Sequence, residues 1–281
     1  MRIAGLFHYP VKSLRGLAVD ELTLEARGPR HDREWMVVDA TGRFLTQRTT
    51  PRMATLTARL RNELLELSDD AGAALLVEPT SAPSVEVTVW KDTITAIDCG
   101  DAAATWLTTR LDQPCRLVRM PSSTRRPVDP KYSPRPDAHT TFADAYPVLL
   151  TNAASLDDLN THLPAPLGME RFRANVVISG APAWAEDEWR AVTVGSITFD
   201  LVKPCARCVV ITTDQHTGER PHGSTPLSTL ARLRTLPPFG AIFGQNAVHR
   251  STGTLRVGDE LHVVDTQPRP SYRAGEQERP R

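Results

Sequence analysis

Short segments of alternating or β-branched apolar residues, separated by turn-forming residues, run through most of this sequence. Such segments predict a series of strands rather than helices. The 281-residue chain also contains 23 prolines against 16 glycines, a balance that suits a loop-rich, strand-rich protein. We therefore expect a mostly β fold with a few helices (α+β), built from barrels or sandwiches. Among the segments predicted as strands are RIAGLF, LAVDELTLEA, EWMVVDA, FLTQR, TLTARL, NELLELS, AALLVEP, VEVTVW and YPVLLTN.

Other segments depart from the strand pattern. Helices are predicted over Gly100–Asp112, Ala153–Leu163 and Thr225–Leu236. Met120–His139 is rich in Pro, Ser and Arg, and is typical of either an inter-domain linker or a flexible loop over a site. Its pair Arg125-Arg126 fits a solvated surface better than a ligand site. The polar, Pro-rich residues 266–281 predict a disordered tail.

Bulk composition excludes several classes of partner. Lys plus Arg and Asp plus Glu both number 33, so the formal net charge is zero and nothing global points to nucleic acid. The chain has no apolar run long enough to cross a bilayer, and we expect no membrane partner. Four cysteines without an evident disulfide framework suit a reducing compartment, so a cytoplasmic location is predicted.

The stretch KPCARCVVITTDQHTG contains Cys205 and Cys208, three positions apart, with Arg207 between them. A fixed guanidinium favours the thiolate form, which binds metals and attacks disulfides. We expect the pair on a loop between two strands, at one end of a sheet or barrel. The flanking segments predicted as strands are Val192–Val202 and Val209–Thr213.

Three kinds of site compete for this cysteine pair. A structural disulfide would close a tight ring, and a zinc site would need a second ligand pair that the sequence lacks. A redox pair of the thioredoxin type would precede a helix, whereas strand-like residues follow here. There remains a single reactive thiolate, or a thiolate ligand to a metal that takes its other ligands from a cofactor. The isolated Cys99 and Cys115 are predicted to be buried, inert thiols.

Polar or basic residues recur where predicted strands begin or end. Each alone is typical of a solvated surface. Together with a candidate thiolate they predict a pocket for an anionic, polar molecule, since Arg binds phosphate bidentately and Lys supplies a point charge. These residues are Lys12, Ser13, Arg33, Arg173, Asn175 and Arg207.

Eight segments in chain order resemble the MOSC proteins with an N-terminal β-barrel, a group that includes the mitochondrial amidoxime-reducing component and its bacterial relatives. The resemblance implies an N-terminal β-barrel-like domain at residues 1–125 and a MOSC β-barrel domain at 126–265. It runs from Tyr9 to Asp259. The segments are YPVKSLRG, DREWMVVD, FADAYPVLLTNAASLDDLN, FRANVVISG, AEDEW, KPCARCVVITTDQHTG, FGQN and GTLRVGD.

The same resemblance implies a molybdenum cofactor, a phosphorylated pterin whose dithiolene sulfurs hold the metal. By the motif match, Cys208 would be the protein ligand to molybdenum and the catalytic residue, with Cys205 nearby. A soft thiolate suits a sulfur-ligated metal, and fixed cations suit a phosphate. One departure is Tyr146, where the family commonly has a polar residue. The residues implied to hold the cofactor are Lys12, Ser13, Arg33, Arg173 and Asn175, with Ala206 and Arg207 lining the site.

The activity that the resemblance implies is reduction of N-hydroxylated compounds by oxygen-atom transfer. Some bacterial relatives carry an iron–sulfur domain, but this sequence has no cysteine after Cys208. We therefore expect electrons from a separate flavoprotein or ferredoxin. The alternative is a molybdenum-cofactor or sulfur carrier, because a related domain ends the molybdenum-cofactor sulfurases. Pyridoxal phosphate belongs to the family only through those sulfurases, and the sequence shows no domain for it.

Overall fold

The computed structural model describes residues 1–78 and 84–272, and strands dominate it. The helices are α1 (Asp101–Leu111), α2 (Ala153–Asn160) and α3 (Leu227–Arg234), with 3-10 helices at Pro51–Thr55, Met169–Phe172, Ala185–Glu188 and Val209–Thr212. The strands are β1 (Arg2–His8), β2 (Leu17–Val19), β3 (Glu21–Glu25), β4 (Gly28–Pro29), β5 (Trp35–Val38), β6 (Leu56–Arg61), β7 (Leu64–Asp69), β8 (Ala74–Val77), β9 (Ser84–Val89), β10 (Asp92–Asp98), β11 (Arg116–Arg119), β12 (Arg126–Pro127), β13 (His139–Thr140), β14 (Val148–Asn152), β15 (Val176–Ser179), β16 (Trp189–Val194), β17 (Ile197–Ala206), β18 (Thr235–Leu236), β19 (Gly240–His249), β20 (Gly253–Arg256) and β21 (Leu261–Thr266). The predicted mostly β, α+β fold class is confirmed.

The largest sheet combines both ends of the chain. Its strand order is β2-β1-β15-β14-β19-β17-β16-β21, and β18 pairs with β19 in addition. All of these pairs are antiparallel except β14 with β15. Its inward side chains, among them Ile3, Val192 and Phe199, form one hydrophobic core with those of β3 and β20. No helix in the described residues is long and apolar enough to span a membrane.

The N-terminal barrel-like domain is built from two smaller sheets. One has the order β5-β11-β10-β9 and the other β6-β7-β8. Helix α1 packs against one strand of each sheet, β11 and β8, and its residues Ala103, Leu107 and Leu111 are buried. Their apolar spacing of three to four residues puts them on one helical face, which is why the segment is a helix among strands.

Two strand pairings join the N-terminal segment to the second half of the chain. Strand β1 pairs with β15, where Leu6 lies opposite Val176. Strand β3 pairs with β20, where Leu22 lies opposite Leu255. The first 25 residues therefore contribute to the core of the larger sheet, and the domain boundary between residues 125 and 126 stays a prediction.

Two local predictions around the cysteine stretch are wrong. Val192–Val202 is not one strand, because Gly195 adopts φ +54 in a tight turn that separates β16 from β17. Val209–Thr213 is not a strand but begins as a 3-10 helix. Ile211 is buried there among the side chains of α3 and β19, and the Thr212 hydroxyl donates to the Val209 carbonyl at 2.7 Å. These tertiary contacts override the β propensity of the segment.

The Met120–His139 stretch is anchored at both ends, so it is not an unstructured linker. β12 and β13 pair with each other at its ends. Arg126 is buried rather than solvated: its Nε donates to Asp92 at 2.7 Å, and Nη1 donates to the carbonyls of Thr141 and Ala143. The surface interpretation is therefore wrong for Arg126, whereas Arg125 is exposed.

The start of the predicted disordered tail packs against the segment that contains the buried carboxyl groups of Glu186 and Asp187. The Gln267 amide donates to the Glu188 carbonyl at 2.7 Å, and the Tyr272 hydroxyl donates to Asp187. Asp187 also pairs with Arg234. Disorder is therefore wrong for residues 266–272, and residues 273–281 lie outside the described part of the chain.

Glu186, beside Asp187, is fully buried. It accepts a hydrogen bond from Ser155 Oγ at 2.9 Å, and its other oxygen has no hydrogen-bond partner among the described residues. Burial, assisted by the charge of Asp187, raises the pKa of Glu186 to about 7. The folded state therefore holds a proton that the unfolded state loses near pH 4.5.

We expect Glu186→Gln to flatten the pH dependence of stability. The stabilisation from the Glu186 proton is complete below pH 4.5 and is lost as the pH rises through about 7. Relative to the variant, the wild type should lose about 2–3 kcal/mol between pH 5 and pH 8, measured by urea unfolding. Glu188→Gln, at an exposed carboxylate, is the control and should leave the profile unchanged. Parallel profiles for wild type and Glu186→Gln would contradict the assignment.

Candidate functional site

A cavity of about 230 Å³ opens beside the end of β17 and the loop after β1. All eight residues that the sequence predicts for the site line this one cavity. Six cationic side chains face it, with Asp144 as the single carboxylate among the described lining residues. The arrangement therefore carries a large excess of positive charge. The predicted residues are Lys12, Ser13, Arg33, Arg173, Asn175, Ala206, Arg207 and Cys208.

Arg33 and Arg173 are held by the ring of Tyr9. Their guanidinium carbons lie 4.1 and 4.5 Å from the ring centroid. The ring is buried, and its hydroxyl donates to the Ala174 carbonyl at 3.0 Å. Burial, the dominant effect, raises the pKa of Tyr9 to about 12, so the hydroxyl stays a donor. Two like charges are thus fixed against one aromatic ring by cation–π contact, and Arg33 has the carboxylate of Asp32 as an additional partner.

Arg33 and Asn175 share a polar network with the buried Asp32. Arg33 Nη1 donates to Asn175 Oδ1 at 2.9 Å and also pairs with Asp32. Asn175 Nδ2 donates to Asp32 at 3.2 Å, and Asp32 accepts the Tyr9 amide at 2.9 Å. The predicted pair Arg33 and Asn175, 142 positions apart, is therefore in direct contact.

Arg173 is positioned by a backbone carbonyl and by the Tyr9 ring rather than by a carboxylate. Its Nη1 donates to the Leu14 carbonyl at 2.7 Å, and no carboxylate of the described residues lies within 4.0 Å of it. Burial lowers the pKa of Arg173 to about 10, with Arg33 adding repulsion and Tyr9 opposing it. The residue adopts φ +57, which aims the side chain back over Tyr9 toward the cavity.

Lys12 is buried beneath the cavity floor and pairs with Asp144. Its Nζ also donates to the Phe142 carbonyl at 2.8 Å. Burial lowers the pKa of Lys12 to about 8 although Asp144 opposes the shift. Burial alone would raise the pKa of Asp144, but the charge and hydrogen bond of Lys12, together with the charges of Arg48 and Arg33, hold that pKa well below its usual range. Arg48 approaches the same carboxylate at 3.5 Å.

The two thiols of the stretch are both free and partly exposed to the cavity. Cys205 lies on β17, and Arg207 Nη1 lies 2.9 Å from its sulfur while Nη2 donates to the Phe172 carbonyl. Cys208 follows the strand and precedes the 3-10 helix. The pair does lie at one end of a sheet, but the predicted loop between two strands is wrong, because Cys205 belongs to β17 and a 3-10 helix follows Cys208. Burial raises the pKa of Cys99 to about 12 and also raises that of Cys115, as expected for inert thiols.

Several cavity residues escape sequence reasoning. Gln47 and Arg48 lie in FLTQR, whose pattern predicts a strand, but the segment turns beneath the cavity and Gln47 exchanges amide hydrogen bonds with Gln215. Asn246 lies within FGQN, and the match of that segment to the family is the sequence feature that could have identified Asn246 as a site residue. Lys203 sits in the cysteine stretch itself, with its ammonium over the Tyr132 ring at 4.4 Å. Asp144 follows Phe142 in another matching segment.

The lining chemistry fits an anionic, oxygen-rich group. Arg207 Nε and the Tyr146 hydroxyl are buried without a hydrogen-bond partner in the part of the chain that the structure describes. Such donors favour a ligand that supplies acceptors. No group of three or more His, Cys, Asp or Glu side chains within residues 1–78 and 84–272 is arranged to hold a metal. A metal at Cys208 would thus have one protein thiolate and take its other ligands from a bound molecule.

We expect Gly16→Ala to destabilise the protein through the Tyr9 ring. A Cβ atom at Gly16 would lie 2.2 Å from Tyr9 Cε1, so the buried ring must shift. Overpacking of this kind costs about 1–3 kcal/mol, to be measured by urea unfolding. Gly5→Ala is the matched control, because its Cβ would meet Phe7 at an ordinary 3.5 Å. Equal effects of both substitutions would show that Tyr9 has room to move.

Comparison with known proteins agrees with the motifs. Residues 1–114 match the MOSC N-terminal beta barrel domain and residues 137–262 match the MOSC domain. Mitochondrial amidoxime-reducing component 1 is 34% identical in both Mus musculus and Homo sapiens, covering 93% of this chain and 82% of either protein. Mitochondrial amidoxime reducing component 2 of Rattus norvegicus is 34% identical, covering 94% of this chain and 83% of that protein. The chain therefore belongs to the family that joins a MOSC N-terminal β-barrel domain to a MOSC domain and includes the mitochondrial amidoxime-reducing components.

Proposed function

We propose that this protein is a molybdenum-cofactor-dependent oxidoreductase that reduces N-hydroxylated compounds. The observation that carries the proposal is one cavity in which an accessible thiol, Cys208, faces six cationic side chains. A soft sulfur ligand and a cluster of cations suit a phosphorylated cofactor that brings a sulfur-ligated metal. The names of the relatives, which refer to amidoxime reduction, support the substrate class.

The residues divide into three roles. Arg173 and Arg33, stacked on Tyr9, would bind the phosphate because their guanidinium groups are fixed and only partly neutralised. Lys12, Ser13 and Asn175 would supply further charge and hydrogen bonds to the pterin. Ala206 and Arg207 would line the metal end, and Cys208 would be the thiolate ligand. Tyr146 contributes a buried hydroxyl donor that has no hydrogen-bond partner among the described residues.

The bound cofactor would supply the metal-centred oxygen-atom transfer that converts N–OH to N–H. The chain's own residues exclude water from the floor of the cavity and orient the substrate at its opening. Asp144 is 60% exposed there and is the lining carboxylate able to hold a cationic amidine-like group. We propose that the two electrons come from a separate flavoprotein or ferredoxin in the cytoplasm.

A second candidate function is a cofactor or sulfur carrier. The contact of Arg207 with the Cys205 sulfur at 2.9 Å favours it, because a fixed guanidinium stabilises a thiolate or persulfide. Under this alternative Cys205, not Cys208, would be essential, and bound metal would not be required for function. Separate substitution of the two thiols therefore distinguishes the candidates.

We expect Cys208→Ser to abolish reduction of an amidoxime test substrate, assayed with a reduced viologen dye as electron donor. A hydroxyl is a poor ligand for a sulfur-ligated metal, while the fold should be intact because Cys208 is partly exposed. Cys205→Ser is the matched control and should retain most activity. Retained activity in Cys208→Ser, with loss in Cys205→Ser, would assign the reactive thiol to Cys205.

We expect Arg173→Ala to lower cofactor occupancy more than it lowers stability of the cofactor-free protein. Loss of a charged contact to the phosphate costs about 1.5–3 kcal/mol, or roughly tenfold to a hundredfold in affinity. Molybdenum and pterin per protein chain would be measured after purification from a host that makes the cofactor. Arg190→Ala, at an exposed arginine of β16, is the control and should load normally. Normal loading of Arg173→Ala would assign Arg173 a structural role only.

A further inference from the structure

A second cavity, of about 260 Å³, lies beside the end of β19 and the Met120–His139 stretch. A small hydrophobic cluster separates it from the first cavity: Tyr146 lines the first, Val248 lines the second, and the two residues belong to that cluster. The second cavity is strongly basic. Its charged and titratable lining residues are Arg125, Arg135, Asp137, His139, His249 and Arg250.

The positive charge of this cavity is incompletely neutralised. Arg250 pairs closely with Asp200 at 2.6 Å, outside the lining. Arg135 reaches Asp137 only at 3.8 Å, and that carboxylate is 72% exposed. Arg125 has no carboxylate within 4.0 Å among residues 1–78 and 84–272. Two guanidinium groups are therefore available to oxygens of a bound anion.

His249 adds an acceptor to this set of donors. The residue is 92% buried, since its relative exposure is 8%, and its Nε2 lies 2.7 Å from the Glu25 carbonyl. A carbonyl only accepts, so Nε2 carries the proton and Nδ1 of the neutral ring is an acceptor. Nδ1 is buried and has no hydrogen-bond partner in the described chain. Burial lowers the pKa of His249, as do the charges of Arg135 and His139, against the opposing effect of the Glu25 carbonyl.

We propose that the second cavity binds a phosphate-like oxyanion that also carries a hydrogen-bond donor, such as inorganic phosphate or the monoanion of a phosphomonoester. Arg125 and Arg135 would bind the charged oxygens, and the P–O–H group would donate to Nδ1 of His249. Sulfate has the same shape but no proton at neutral pH, so its oxygens would face the Nδ1 lone pair. A site with an unpaired buried acceptor discriminates against a ligand that lacks the matching donor.

Calorimetric titration of the full chain with inorganic phosphate and with sulfate tests the proposal. Phosphate should bind saturably and about tenfold more tightly than sulfate. Arg135→Ala and Arg125→Ala should each weaken phosphate binding about tenfold, and both positions are accessible enough to tolerate the change. Arg173→Ala should weaken only phosphate that binds in the first cavity, and should leave intact the binding event that Arg135→Ala and Arg125→Ala weaken. This difference separates the new site from the proposed cofactor site.

Two further experiments test the role of His249 Nδ1 as hydrogen-bond acceptor and the source of the phosphate. His249→Phe, verified as folded by thermal unfolding, should bind phosphate and sulfate equally. Phenyl phosphate and phosphate are compared at about pH 5.5, where both keep a P–O–H group. Tighter binding of phenyl phosphate would assign a phosphorylated metabolite, and weaker binding would assign free phosphate. Equal affinity for phosphate and sulfate in the wild type would overturn the proposal. An isotherm that both arginine substitutions leave unchanged, or phosphate binding that Arg173→Ala abolishes entirely, would overturn it as well.

Discussion

The antiparallel pairing of β1 with β15 is the constraint on which the functional cavity depends. Antiparallel strands bring the end of one beside the start of the other. The loop after β1, with Lys12 and Ser13, therefore meets the residues just before β15, Arg173 and Asn175. The Arg173 to Leu14 hydrogen bond, between residues 159 positions apart, follows from this register. Without that pairing the cationic residues would be scattered over unrelated surfaces.

Bringing so many cations together is electrostatically unfavourable, and the structure offsets the repulsion only in part. Asp32 and Asp144 neutralise Arg33 and Lys12, while Arg173 relies on the face of an aromatic ring. The lowered pKa values of Lys12 and Arg173 have burial as their main cause, so both cations are held with little hydration. A site that keeps charges poorly solvated binds an anion strongly, because little water has to be removed when the anion arrives.

Predictions from the sequence were correct where local periodicity or a sequence motif determines the structure. It predicted the fold class, helix α1 and eight residues that line one cavity, while their roles there stay a prediction. It failed where distant contacts decide the outcome. Nothing in the spacing of Val209–Thr213 indicates that Ile211 will be buried by α3, and nothing near Arg126 identifies Asp92 as its partner. Gln47 and Asp144 were missed because a polar residue on a turn looks the same in sequence whether it faces solvent or a cavity floor.

The pairing of β3 with β20 has a consequence for how the protein is made. Glu21 lies opposite Arg256, so the third strand emerges from the ribosome long before its neighbour exists. At about 5–20 residues per second, the nascent chain waits roughly 10–50 s until Arg256, which lies 235 positions after Glu21, is translated. During that interval the apolar faces of β1 and β3 lack their native cover. The cavity, which includes Asn246 of β19, can therefore be completed only after that strand has been translated.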